Sequence, residues 1–284
     1  MKIRVLGSAA GGGSPQWNCA CAPCRQARRT GRNRLQDTVA ISGDGNAWYL
    51  LNASPDVRTQ ILATPELTPG PGLRETPLRG VVLTTAELDH TLGLLSLREA
   101  VALRVYATAA VGHALSAAFA LRPILQCYTT LEWTDLGSVQ PLDGGLEVRR
   151  VTVGGKRPRY AHDIPGDDWV SALRITDTWT GFVFVYATCL PAWTSEFDDF
   201  VKGADEVLLD GTFATEDELT AGTGRPGSAR AMGHLPIADS RVRFAGHPGT
   251  RFRYGHLNNT NPSAGDDIAR DGLEMGGHRG RDVR

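Results

Sequence analysis

Short apolar runs recur along the chain, separated by polar and glycine-bearing joints. That pattern predicts many short strands with helices between them. Residues 2–7 read as a strand, followed by the glycine-rich stretch 8–14. Residues 38–42 and 47–52 read as a hairpin around Gly43 and Gly45. Residues 80–83 are a short apolar strand that runs straight into 84–90. A helix is expected over 91–103, with Leu92, Leu95, Leu97 and Ala100 approximating one buried face. Residues 104–107 read as a strand and 111–121 as a helix. Strands with β-branched or aromatic content follow at 146–153, 171–176 and 181–187. Pro191 opens an expected helix to 201, at a position where proline is tolerated. Two further strands, 206–210 and 251–256, end on Asp210 and His256.

No internal repeat is evident at a fixed period. The pattern gives one mixed α/β layered domain over residues 1–261, with polar residues at strand ends. Residues 262–284 are polar and rich in glycine and arginine, and are expected to be a disordered tail.

Composition narrows the function classes. The 284 residues carry a net charge of -1, which gives no global pull toward nucleic acid or membrane. No segment approaches the roughly 18 apolar residues of a membrane span. The first 13 residues hold Lys2 and Arg4 but no long apolar run, so a secretory signal is not expected. A cytoplasmic protein is the expectation. The 33 glycines suggest tight turns and a loop-rich site face.

Cys19, Cys21 and Cys24 form a C-x-C-x-x-C array. In a reducing compartment such crowding favours metal over disulfides. A short loop can aim three thiolates at one zinc, and a structural zinc site usually needs a fourth ligand. His234, His256 and Asn259 are candidates for it, although an amide oxygen is an unusual zinc donor. Cys127 and Cys189 read as small apolar residues. Arg25, Arg28, Arg29, Arg32 and Arg34 lack an aromatic stacking pattern, so a solvated loop is favoured over a nucleic-acid knuckle.

Asp89 and His90 follow a strand and open a helix, where they can offer an oxygen and a nitrogen to one ion. Asp89 as a plain helix cap is the alternative. The frame resembles the metallo-β-lactamase signature H-x-H-x-D-H, here occupied by Thr85, Glu87, Asp89 and His90. The run Ala86-Glu87-Leu88-Asp89-His90-Thr91-Leu92-Gly93-Leu94-Leu95 is similar to the altered form found in the PqqB family of pyrroloquinoline quinone (PQQ) biosynthesis. So are Val5 to Gly13, Gln16-Trp17-Asn18-Cys19, Asn52-Ala53-Ser54-Pro55-Asp56, Asp210-Gly211-Thr212-Phe213, Met232 to Ile237 and His256 to Pro262. Asp271-Gly272-Leu273-Glu274-Met275 resembles the family's closing motif.

The resemblance implies an αββα sandwich with two metals side by side at the strand ends. One metal would use the two lost histidines and a third, which falls at His162. The other would use Asp89, His90 and His256. A bridging aspartate would fall near Cys189 and is missing. Two imidazoles and one carboxylate with open positions is the set of non-haem iron(II) oxygenases. The implied function is therefore iron(II)- and O₂-dependent hydroxylation of the tyrosine ring of a small peptide-derived precursor with linked glutamate and tyrosine moieties. His162 and His234 are the candidate bases or substrate-orienting groups, and Glu87 a further ligand or histidine acceptor. Zinc is expected at the cysteine loop. The rival roles are a carrier that moves PQQ or its precursor out of the cytoplasm, and a metal-dependent hydrolase using Glu87, His162 and a replacement bridge. The expected partners are the precursor and O₂, without nucleic acid or membrane insertion, and a homodimer is left open.

Overall fold

The structure, a computed structural model, describes residues 1–277. Among the described residues thirteen strands form two sheets. In chain order they are β1 (Lys2–Gly7), β2 (Thr38–Ser42), β3 (Trp48–Leu51), β4 (Leu78–Val82), β5 (Ala102–Ala107), β6 (Thr130–Asp135) and β7 (Val139–Leu142). They continue as β8 (Leu146–Gly154), β9 (Val170–Asp177), β10 (Val183–Ala187), β11 (Glu206–Asp210), β12 (Arg251–Gly255) and β13 (Glu274–Gly276). The first sheet runs β13-β1-β2-β3-β4-β5-β6 and the second β12-β11-β10-β9-β8-β7.

Side-chain alternation explains the layering. In β3, Tyr49 and Leu51 enter a core shared with Ile3, Ile41, Leu173, Phe184 and Tyr186 from both sheets. Trp48 and Leu50, one residue out of phase, join a second core with Leu94, Val111 and Leu121 from the covering helical segments. In β10, Phe184 and Tyr186 face inward, while Val183 and Val185 pack with Phe197 and Val201 of the helix Ser195–Val201. Strands covered on both faces read as continuous apolar runs. The result is the expected αββα sandwich.

Parallel pairing gathers the site. β10, β11 and β12 run parallel, with Asp210 level with Gly255, so their carboxyl ends share one edge. β4, in the facing sheet, runs out into residues 84–90. Loops at the carboxyl ends of parallel strands are the usual place for a site in layered α/β folds.

Several elements depart from expectation. The helix expected over 91–103 is one helical turn, Leu88–Thr91, and a 3-10 segment, Leu92–Glu99, before β5 starts at Ala102. Tight docking explains the winding, because Gly93 N–H donates to Ala53 O at 2.9 Å and Ala53 N–H to His90 O at 2.7 Å. A Cβ on Gly93 would meet Ser54 O at 2.1 Å, so only glycine fits there. The helix expected from Pro191 begins at Ser195, because the Thr194 hydroxyl caps it by accepting from Phe197 N–H at 3.1 Å. The segment 111–121 is a helix, Ala109–His113, with a π-turn, Ala114–Ala118, and a second helix at Leu121–Gln126.

The tail expectation is corrected over residues 262–277. β13 pairs with β1, Lys2 against Gly276 and Arg4 against Glu274. Ile268, Ala269 and Met275 are buried. Asp271 accepts from Ser8 Oγ and from Leu35 N–H, both at 2.6 Å. The polar composition hides a few apolar residues at strand spacing, and these suffice to close the sheet edge. The remainder, 278–284, lies outside the described residues.

Candidate metal centres

The helical turn Leu88–Thr91 carries Asp89 and His90 to the edge where β12 ends. His256, the residue after β12, adopts a left-handed φ of 55°, uncommon outside glycine, and this bends the chain at the strand end. The bend is held by Leu257 N–H to Ser8 O at 2.9 Å and Asn258 N–H to Thr212 O at 3.0 Å. His256 Nε2 lies 3.3 Å from Asp89 Oδ2, and His90 Nε2 lies 3.8 Å from the same oxygen. Cys189 Sγ is within 4.8 Å of a ring nitrogen of each histidine. Both ring nitrogens of His90 are buried without a hydrogen-bond partner.

A polar relay fixes the neighbouring rings. Asp210 Oδ1 accepts the Thr212 N–H at 3.0 Å and its hydroxyl at 2.7 Å. With its proton committed, Thr212 Oγ1 accepts from His256 Nδ1–H at 2.8 Å. Asp210 Oδ2 accepts from His234 Nδ1–H and from Leu190 N–H, both at 2.8 Å. His256 and His234 are thus each left with Nε2 as the open ring position, the arrangement that outer hydrogen bonds impose on ligating histidines. Asp210, on which β11 ends, thus orients His234.

Electrostatics favour a cation here. Burial alone would raise the Asp89 carboxyl and lower the His256 imidazolium, but their mutual attraction, with His90 beside Asp89, reverses both. Asp89 is held well below the usual carboxylate range, and His256 is held above an ordinary histidine. Burial pushes the Cys189 thiol far up, and the carboxylates of Asp210, Asp89 and Asp37 add to the push. Burial also lowers His90 against the pull of Asp89, which favours the neutral form of the ring that can donate a lone pair. A cation among these groups would relieve the crowded negative charge. The donors and the unpartnered His90 ring therefore fit a metal.

These residues line a cavity of about 450 Å³ with Gly11, Thr85, Glu87, Lys156, Arg230, Phe213 and His234. Thr85 and Glu87, at the positions of the two absent histidines, form its wall. Burial raises the Glu87 carboxyl, and Lys156 Nζ stands 3.9 Å from it. Gly11 brings the glycine-rich loop against Asp89, since a Cβ there would meet Asp89 Oδ2 at 3.1 Å. His162 is a correction. It follows the 3-10 turn Arg159–Ala161 with its ring turned to solvent, pairs with Asp163 at 3.0 Å, and does not line the cavity.

The second cluster is the cysteine loop. Cys21 precedes the helix Ala22–Thr30 and Cys24 lies in its first turn. One ligand atom from each of Cys19, Cys21 and Cys24 lies within 4.8 Å of the others. Of the fourth-ligand candidates, His234 and His256 belong to the other centre. Asn259 reaches this one, with its side-chain nitrogen 3.2, 3.6 and 3.4 Å from the three sulfurs in order. Burial raises the Cys21 thiol to about 11, and the neighbouring sulfurs add to this. For Cys19, burial is outweighed by the Cys21 amide and the flanking donors, so its thiol is lowered. One sulfur thus carries charge readily while its neighbour resists, a set that a cation would complete. The nearby arginines brace the loop, with Arg28 donating to Cys19 O and Gln16 O, both at 2.6 Å.

Three residues of the histidine centre escaped the sequence reading. Cys189 reads on sequence grounds as a small apolar residue. Thr212 lay inside a quoted motif without a role. Asp37, just before β2, stands with Oδ2 3.8 Å from His90 Nε2. Nothing local marks it, because its neighbours Tyr186 and Thr188 come from the other sheet.

The fold and the strand-end centre define a member of the metallo-β-lactamase superfamily, and residues 47–252 match the "Beta-lactamase superfamily domain". Coenzyme PQQ synthesis protein B of Azoarcus sp. (strain BH72) is 38% identical over 97% of this chain and 97% of its own length. The counterpart in Cupriavidus necator is 40% identical over 96% of each. The crystal structure of Zn(2+)-bound PqqB from Methylobacterium extorquens superposes with a TM-score of 0.87 at 31% identity, over 97% of this chain and 100% of that one. This chain belongs to the PqqB family.

Proposed function

We propose that this protein serves coenzyme PQQ synthesis as an iron(II)- and O₂-dependent hydroxylase acting on the tyrosine ring of a precursor with linked glutamate and tyrosine moieties. The observation that carries the reading is the buried, unpartnered His90 ring beside Asp89 and His256, with a thiol rather than a carboxylate at Cys189. Two imidazoles and a carboxylate suit one redox-active metal with open positions. A dinuclear hydrolytic centre needs a bridge and more histidines, and His162 lies outside the cavity. Zinc is assigned to Cys19, Cys21 and Cys24, with Asn259 beside them.

In this reading Asp89, His90 and His256 hold iron(II), which supplies O₂ activation when bound. The remaining work belongs to the cavity. Its size lies within the roughly 300–1,000 Å³ range of small-molecule pockets. Lys156 on its wall attracts a carboxylate of the precursor, while Arg230 is already paired with Glu216 and Asp239 at 2.6 and 2.7 Å. His234, anchored at Nδ1 by Asp210, keeps Nε2 free to accept the phenolic proton. Phe213 packs edge-on against His234, with ring centroids 6.0 Å apart, and limits its rotation.

The test is anaerobic loading of the purified protein with iron(II), followed by O₂, the precursor and a two-electron reductant such as ascorbate, because one oxygen atom enters the ring and the other must be reduced to water. A product heavier by one oxygen atom, formed only with iron, supports the reading. O₂ uptake no greater than in the precursor-free control, or phosphodiester cleavage by a zinc-loaded form, overturns it.

A further inference from the structure

We propose that Asp37 is a donor carboxylate of the histidine centre, so that His90, His256, Asp89 and Asp37 together hold its metal. The inference deepens the reading above, and it rests on the metal site there rather than on the reaction.

Asp37 is out of reach of solvent, with a side-chain exposure of 0%. Its Oδ2 accepts the Tyr186 hydroxyl and the Thr188 hydroxyl, the latter at 2.9 Å. Tyr186 is itself held by Asn52 Nδ2 at 3.0 Å. Two neutral hydroxyls anchor this carboxylate, and its Oδ1 is buried with no partner. Buried carboxylates are generally paired with a cation or coordinate a metal, and orphaned buried polar atoms are rare. The ring nearest to Asp37 is that of His90, also unpartnered, and it is approached by Oδ2, the oxygen that accepts both hydroxyls.

The spacing separates a hydrogen bond from shared coordination. His90 Nε2 is 3.8 Å from Asp37 Oδ2 and 3.8 Å from Asp89 Oδ2. That is too long for a hydrogen bond. Donors bound to one ion at about 2.0–2.2 Å lie roughly 3–4 Å apart. His256 Nε2 to Asp89 Oδ2, at 3.3 Å, falls in the same span. Asp37 thus returns to the centre a second carboxylate where position 189 offers only a thiol. Four protein donors leave two positions of an octahedral ion open.

Mn(II), which prefers oxygen and nitrogen donors to thiolates, reads this centre without the cysteine loop. Its free concentration is followed by electron paramagnetic resonance during titration of wild type and Asp37→Asn. The expected result is binding at least about tenfold weaker in the variant, with the cysteine-loop metal still present at the wild-type level. Equal affinity in the two proteins overturns the assignment while leaving the centre intact. Wild type that binds no Mn(II) overturns the metal-site reading as well. Should Asp37→Asn fail to fold, a crystal structure of Mn(II)-soaked wild type decides. An Asp37 oxygen bonded to the ion supports the proposal, and an Asp37 held only by Tyr186 and Thr188 overturns it.

Discussion

His256 Nε2 stands 3.3 Å from Asp89 Oδ2, and the two residues are delivered by different sheets. Asp89 follows β4 of the first sheet and His256 follows β12 of the second. An ion bound between them therefore ties the two halves of the sandwich. His256→Ala is expected to lose the ion of this centre and keep that of the cysteine loop, as read by metal analysis of anaerobically purified protein. Because the ion binds only the folded form, a hundredfold excess over its dissociation constant adds about 2.7 kcal/mol. At about 2–4 °C per kcal/mol, metal should raise the wild-type melting temperature by more than about 5 °C and leave His256→Ala nearly unchanged. Equal shifts in the two proteins would place the ion elsewhere.

Gly11 presses on the other side of Asp89. A Cβ there would meet Asp89 Oδ2 at 3.1 Å, close enough to move the carboxylate without disrupting a strand. Gly11→Val should weaken metal binding at the histidine centre about tenfold or more, with little change in the melting point of the metal-free protein. Gly7 gives the contrast. A Cβ on it would lie 2.0 Å from Gln36 O, a backbone atom. Gly7→Ala should therefore cost stability directly, and a comparison of the two melting curves with and without metal checks both.

How much of this was legible in the sequence depended on whether a residue's role was local. β1, β2 and β11 were readable end to end, β1 from its alternating apolar positions and β2 and β11 as apolar runs flanked by turn residues. The pairing of Asp89 with His90 and the convergence of Cys19, Cys21 and Cys24 were readable from spacing. His256 was placed through the resemblance. Helices at 91–103 and 111–121 were misjudged because docking, through Gly93 in the first case, overrode periodicity. His162 was misassigned because a histidine near the right place in the chain says nothing about which way its ring turns. Asp37 and Cys189 take their meaning from groups distant in the chain, Tyr186 for Asp37 and His90 and His256 for Cys189, which no local pattern encodes.

The closing strand gives a test of the corrected tail. Met275 is 5% exposed and packs in the core between the sheets, opposite Ile3 in the pairing of β13 with β1. Truncating a buried methionine to alanine typically costs about 2–5 kcal/mol. At an edge strand the lower half of that range is expected. Met275→Ala should lower the urea midpoint accordingly, with the m-value unchanged. A midpoint equal to wild type would return residues 262–277 to the status of a tail.

Asn259 joins the cysteine loop to the segment that carries His256. Its side chain reaches all three sulfurs, while Asn258 N–H and Asn261 Nδ2 bind Thr212 O and Gly211 O at 3.0 and 2.7 Å. Asn259→Ala removes the contacts to sulfur but leaves the flanking anchors. Loss of such hydrogen bonds costs about 1–3 kcal/mol. The expected outcome is a cysteine-loop metal removed by lower chelator concentrations than in wild type, with metal affinity at the histidine centre reduced less. A release profile identical to wild type would show that Asn259 merely fills space.

Asp177 should contribute to acid sensitivity away from the metal centres. Its carboxylate is buried at the turn between β9 and β10 and accepts from the N-terminal ammonium at 2.8 Å. The amides of Trp179 and Thr180 donate to it at 3.0 and 3.1 Å. Burial alone would raise this carboxyl, but the ammonium, the Thr180 groups and the Trp179 amide outweigh it and hold it below the ordinary carboxylate value. A folded-state value depressed below the unfolded one means stability that is fully present above the unfolded value of about 3.9. That stability is lost as pH falls through the folded value. Breaking one side of a buried ion pair costs about 3–5 kcal/mol, so Asp177→Asn should be clearly less stable than wild type at pH 7. The difference should hold down to about pH 4 and then shrink as wild-type Asp177 itself takes up a proton. Urea titrations of both proteins across that window measure it, and a gap that stays constant into strong acid would mean that the charge on Asp177 contributes nothing.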